Sequence, residues 1–142
     1  MNKTTISIIA VIAVIVAGWF WYSSQSKEPV VDTTPVSLYE TKTDTTKGTY
    51  MSNAAGMTVY TFDNDQPGVS NCSGTCATNW PPYISSSAAG TQLPADISVI
   101  TRADGSSQYA WQGKPLYYYI RDVQAGDING DGVGGVWHIV KL

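Results

Sequence analysis

From residue 48 onward, apolar and polar positions alternate in short runs broken by glycine, asparagine and aspartate. Runs of this kind read as strands, because successive side chains of a strand point to opposite faces. The pattern predicts strands over residues 49–53, 58–63 (TVYTFD), 97–102, 107–111, 115–120 (PLYYYI) and 136–141 (VWHIVK). Ala54-Ala55-Gly56, Ala103-Asp104-Gly105-Ser106 and Gln112-Gly113 supply turns between them. No stretch sustains a helical period over ten residues. The expected fold is therefore mainly β: a small, compact antiparallel domain over residues 48–142.

Two of these strands echo each other. Gly56, Val59, Tyr60, Phe62, Asp65 and Trp80 recur 57 positions later as Gly113, Leu116, Tyr117, Tyr119, Asp122 and Trp137. Six coincidences at one offset predict two related half-units. Each is expected to be a hairpin, a loop headed by an aspartate, and a return carrying a tryptophan. Neither half buries much alone, so the two are expected to share one core. Within each copy the Tyr-x-aromatic spacing places both rings on one face of a strand. The aspartate falls just past the strand end, where it is placed to accept loop N–H groups.

The first part of the chain has a different texture. Residues 6–22 (ISIIAVIAVIVAGWFWY) carry no charge and end in Trp19, Phe20, Trp21 and Tyr22. As a helix this run is about 25 Å long, at the short end for spanning a bilayer, and its terminal rings suit the lipid–water interface. A cleaved signal peptide is the alternative, with Val16-Ala17-Gly18 as its cut site, but the aromatic cluster beyond favours an uncleaved signal-anchor over residues 1–22. Lys3 places the short side in the cytoplasm and the rest of the chain outside the membrane. No cysteine lies near the end of the run, so lipid attachment there is not expected. Residues 23–47, rich in Ser and Thr and holding Pro29 and Pro35, read as a flexible linker. Val36, Leu38 and Tyr39 are the one place in it where a short strand is conceivable.

Charge narrows the partners. From residue 48 the only basic residues besides His138 are Arg102, Lys114, Arg121 and Lys141, against seven aspartates. With no basic cluster, nucleic-acid binding is not expected, nor is docking on anionic head groups. Export also governs the two cysteines, Cys72 and Cys76 in NCSGTCATNWPP. An even pair in an oxidising compartment reads as a disulfide. The residues around it are poor helix formers, so both are expected on a loop. A redox centre would need a depressed thiol pKa, and no Lys, Arg or His lies between Lys47 and Arg102.

The stretches TVYTFDNDQPGVSNCSGTCATNWPPY, GKPLYYYIRD and GDINGDGVGGVWHIV resemble the secreted repeat of unknown function, a family of predicted lipoproteins with a Tyr-x-aromatic-x-x-Asp motif. The resemblance covers about half of the chain. Its motif positions here are Tyr60, Phe62 and Asp65, then Tyr117, Tyr119 and Asp122, followed by Trp80 and Trp137. It implies an exported β-rich domain with no settled activity. The chain departs from the pattern in lacking the lipid-anchoring cysteine and in carrying Asp131 in a loop often less acidic.

Three metal or cofactor readings compete with a purely structural one. Asp127, Asn129 and Asp131, with Gly132, repeat the first half of an EF-hand loop, a donor set suited to calcium. The twelfth position is His138 rather than glutamate, so a free-standing weak site is the form it would take; an Asx-rich turn is the structural alternative. Cys72, Cys76 and His138 together offer a soft set for copper. Covalent haem is disfavoured because Cys-x-x-Cys-His is missing, and noncovalent haem on His138 or a methionine has no sequence support. No nucleophile–base constellation is visible, so an enzyme is not expected. Two roles result: a non-catalytic binding or structural module of the cell envelope, with a protein or glycan partner at an aromatic patch; or an envelope redox or metal-handling protein.

Overall fold

The computed structural model describes residues 37–86 and 92–142. Two hairpins of the same design set the frame. Glu40–Asp44 (β1) pairs antiparallel with Gly48–Ser52 (β2), and Ile97–Thr101 (β4) pairs with Ser107–Trp111 (β5). Both turns are closed by an aspartate bonding its own loop, as short polar side chains favour. Asp44 accepts the amides of Thr46 and Lys47 at 2.7 and 2.8 Å, and Asp104 accepts the amide of Ser106 at 2.9 Å.

Each hairpin is extended by a motif segment. Ser52 bridges Thr58, leading into Tyr60–Phe62 (β3); Lys114–Pro115 (β6) pairs with β5 and leads into Tyr117. The halves then exchange partners. β3 pairs not within its own half but with Trp137–Ile139 (β7), with Phe62 opposite Trp137. Reciprocally, Tyr117 bridges Pro82, and the Tyr118 amide donates to the Pro81 carbonyl at 2.8 Å. Between the motif segments, Tyr60 and Tyr117 exchange both backbone hydrogen bonds, at 2.9 and 3.0 Å. Equivalent residues bonded reciprocally define a local twofold relation, and its axis passes between these two tyrosines.

Period-two alternation divides the interior. Tyr50, Tyr60, Tyr117 and Ile139 face one cluster, while their neighbours Met51, Val59, Leu116 and Val140 face a second. Val59, Tyr60, Leu116 and Tyr117 are all fully buried, so the central segments are covered on both faces. Segments buried on both sides carry the apolar character that the TVY and PLY runs showed.

Three expectations need correction. The linker expected over residues 23–47 gives way earlier: Glu40–Asp44 is strand β1, and Leu38 and Tyr39 pack on the second cluster. Its sequence, ETKTD, hides this because the strand is held by pairing to β2 and not by apolar burial; all five of its residues are charged or threonine at exposed or half-buried positions. Cys76 lies not on a loop but in a short helix, Thr75–Asn79 (α1). The strand expected over residues 115–120 is mostly extended chain held by single bridges, because its partners lie in two different segments. The expected anchor, residues 1–22, lies outside the described residues. Among the described residues no helix is long and apolar enough to cross a membrane.

Candidate functional site

The two motif copies converge at the twofold axis, and they do so crosswise. Tyr60 Oη donates to Asp122 Oδ2 at 2.5 Å, and Tyr117 Oη donates to Asp65 Oδ2 at 2.7 Å. Each tyrosine thus bonds the aspartate of the other copy. The remaining carboxylate oxygens hold their own loops: Asp65 Oδ1 accepts the Asn71 amide at 2.7 Å, and Asp122 Oδ1 accepts the Asn129 amide at 3.0 Å. Those asparagines are themselves equivalent. Asn71 Nδ2 donates to Asn64 O, and Asn129 Nδ2 donates to Arg121 O.

Burial drives the electrostatics of these pairs. It raises both tyrosine pKa values, and the adjacent carboxylates raise them further. Burial also raises Asp65 above the ordinary carboxylate value, although the Asn71 amide, the Tyr117 hydroxyl and the Arg102 charge oppose it. The tyrosines therefore act as fixed hydrogen-bond donors at neutral pH.

The copies differ in what supports each tyrosine. Tyr60 Oη accepts the Gly130 amide at 3.3 Å, at a place where the approach is so close that a Cβ on Gly130 would sit 2.8 Å from the Tyr60 ring and 2.9 Å from Trp80. Tyr117 Oη instead meets Ser70 Oγ at 2.7 Å. Ser70 in turn accepts from buried Arg102, which also donates to Gln108 Oε1 at 2.5 Å and to the Cys72 carbonyl at 2.6 Å. Sequence reasoning counted Arg102 only as one of a few cations. Its isolation in a cation-poor stretch was the available signal that it is used internally.

The aromatic residues complete the symmetry. Phe62, Trp137, Trp80 and Tyr119 form one continuous stack, with centroid separations of 4.2, 3.8 and 4.2 Å. The central indoles are nearly parallel, 3° apart. Again the order is crossed: Phe62 of the first copy lies on Trp137 of the second, and Tyr119 of the second lies on Trp80 of the first. Tyr60 and Tyr117 pack edge-on to Trp80 and Trp137, at 5.5 and 5.2 Å. Offset and edge-on ring pairs add stabilisation beyond the area they bury.

Cys72 and Cys76 form a disulfide, with Cys72 fully buried beside this cluster. The sulfurs are bonded to each other, and His138 Nε2 lies 2.9 Å from Asp63 Oδ2, so the three residues weighed for copper are engaged separately. The calcium donors are likewise dispersed. Asp127 Oδ2 accepts the amides of Val123 and Gln124 at 2.9 and 3.1 Å, which lower its pKa. Asn129 serves the Asp122 loop, and Asp131 pairs with Lys47 at 2.7 Å while accepting the Ile139 amide at 3.1 Å. Among the described residues no three His, Cys, Asp or Glu side chains gather as a metal site.

The model of one protein family, described as a secreted repeat of unknown function, matches residues 38–83 and again residues 98–141. The matched segments coincide with the two halves that exchange strands. No curated protein and no solved structure matches the chain.

Proposed function

The chain belongs to this family of secreted repeats of unknown function, and from that premise we propose that it is an exported, membrane-tethered module of the cell envelope that binds instead of catalysing. The reciprocal tyrosine–aspartate pairing carries the non-catalytic part. A general acid or base must be free to exchange a proton with a substrate. Here the motif hydroxyls and carboxylates are committed to one another and to loop amides. The single histidine is paired with Asp63, and the cysteines are closed into a disulfide. The motif thereby makes two half-units into one rigid body on which a surface is displayed. Tethering is supported by the uncharged run of residues 6–22 and its terminal aromatic cluster.

Cell fractionation tests the placement. The full chain, carrying a C-terminal tag, is expected in the membrane pellet after alkaline washing, with the tag cleavable by protease added outside the cytoplasmic membrane. Removing residues 6–22 is expected to leave the chain in the cytoplasm. Recovery of the full chain in the soluble fraction, or a protected tag, overturns the tether. A turnover abolished by Tyr117→Phe at unchanged stability overturns the non-catalytic reading.

A further inference from the structure

Beside α1 the aromatic stack borders an open groove of about 490 Å³, with Thr75, Asn79, Trp80, Tyr119, Arg121 and Trp137 in its wall. The stack decides what part of each indole the groove meets. Trp80 has Trp137 on one face and Tyr119 on the other, while Trp137 lies between Trp80 and Phe62. Only ring edges remain, and an aromatic edge carries the positive end of the ring quadrupole.

Both indoles also bring a donor. Trp80 and Trp137 are each only 5% exposed, and neither indole N–H has an acceptor among the described residues. Arg102 Nε is the one sealed side-chain atom without a partner among them, so each indole nitrogen reaches the surface through the small part of its ring left uncovered. Donors on side chains this deeply packed are ordinarily satisfied. Arg121 stands exposed on the same groove, and its guanidinium has no ion pair or hydrogen bond among the described residues.

An unpaired guanidinium and two indole N–H groups without an acceptor leave the groove wall rich in donors. We infer that the groove binds a carboxylate-bearing sugar unit of an envelope polysaccharide, with the carboxylate on Arg121 and ring or hydroxyl oxygens accepting from the indole N–H groups of Trp80 and Trp137. A planar carboxylate matches the paired donors of a guanidinium. One guanidinium balances one negative charge, which a carboxylate and a phosphodiester both bring; the planar carboxylate and the tetrahedral diester are separated in the test. A groove of a few hundred Å³ is on the scale of small polar ligands. The inference rests on the reading of an exported binding module and gives that module its ligand.

The test is an NMR titration of the full chain, labelled with ¹⁵N at its tryptophan side chains, with methyl glucuronide, neutral methyl glucoside and dimethyl phosphate as probes. The glucuronide is expected to shift the indole N–H signals of Trp80 and Trp137 saturably, leaving that of Trp111 in place. Arg121→Gln, a change at an exposed side chain, is expected to weaken this binding about tenfold without altering the rest of the spectrum. Four results overturn the inference: no shift with glucuronide, an equal response to the glucoside, tighter binding of dimethyl phosphate, or an unaffected Arg121→Gln titration. Since the titration reads the groove alone, its failure leaves the tether and export to be judged separately by fractionation.

Discussion

The hydroxyl of Tyr60 donates to the carboxylate of Asp122, 62 positions further along the chain, while the aspartate of its own motif serves Tyr117 instead. The motif therefore describes a bond between two copies and not a constellation within one. That distinction has a direct energetic signature. Double-mutant cycles between Tyr→Phe and Asp→Asn changes are expected to show coupling of roughly 1–3 kcal/mol for Tyr60 with Asp122 and for Tyr117 with Asp65. The same-motif combinations, Tyr60 with Asp65 and Tyr117 with Asp122, are expected to be close to additive in chemical denaturation.

Separate halves are expected not to fold. Residues 37–86 lack the β7 partner of β3, and residues 92–142 lack the segment that pairs with Tyr117 and Tyr118. Each fragment alone is expected to show no near-ultraviolet circular dichroism from packed aromatic rings. An equimolar mixture is expected to recover it, and a signal from either fragment alone would contradict the interlocked arrangement.

Gly130→Ala is expected to destabilise the domain by about 1–3 kcal/mol, the usual cost of overpacking. Its added methyl meets the rings of Tyr60 and Trp80 inside normal contact distance, in a region where neither ring has room to retreat. Thermal melts of the variant against the parent domain measure the loss.

Replacing both Cys72 and Cys76 with alanine is expected to cost about 2 kcal/mol, because the ring they close is small. The aromatic near-ultraviolet spectrum is expected to persist, since the stack is held by strand pairing across the halves. Loss of that spectrum would assign the disulfide a larger part in the fold.

Acid sensitivity is expected to run partly through Asp131. Burial pushes its pKa up, but the Lys47 ammonium and the Ile139 amide outweigh burial and leave it below the ordinary 3.8. With the folded value below the unfolded one, its contribution is complete above the unfolded value and drains away as pH falls through the folded value. Asp131→Asn is therefore expected to lower Tm near pH 6. The gap from the parent is expected to close as the pH is taken below about 3.8.

Much of this was written in the residue pattern. Period-two alternation placed β2, β4, β5 and β7 within a residue or two, and the 57-residue echo located the tyrosines, aspartates and tryptophans that meet at the axis. The crossing of partners was not legible. An aspartate that heads a loop looks the same whether its second oxygen faces water or a tyrosine from the other half. β1 was missed for a related reason: its polar side chains carry no burial signal, and its stability comes from the backbone ladder to β2. Spacing alone also does not reveal that Asp127, Asn129 and Asp131 turn toward three different partners.

The exchange of strands also dictates an order of events during biosynthesis. β3 is complete only when residues 137–139 can lie beside it, and Asp65 is satisfied only when Tyr117 has arrived. Pairings this distant in sequence form late and slowly. A chain emerging from a translocation pore amino end first consequently has no finished half to fold against. In a chain threaded through such a pore, nearly all of it has been released before the first motif can find its counterpart.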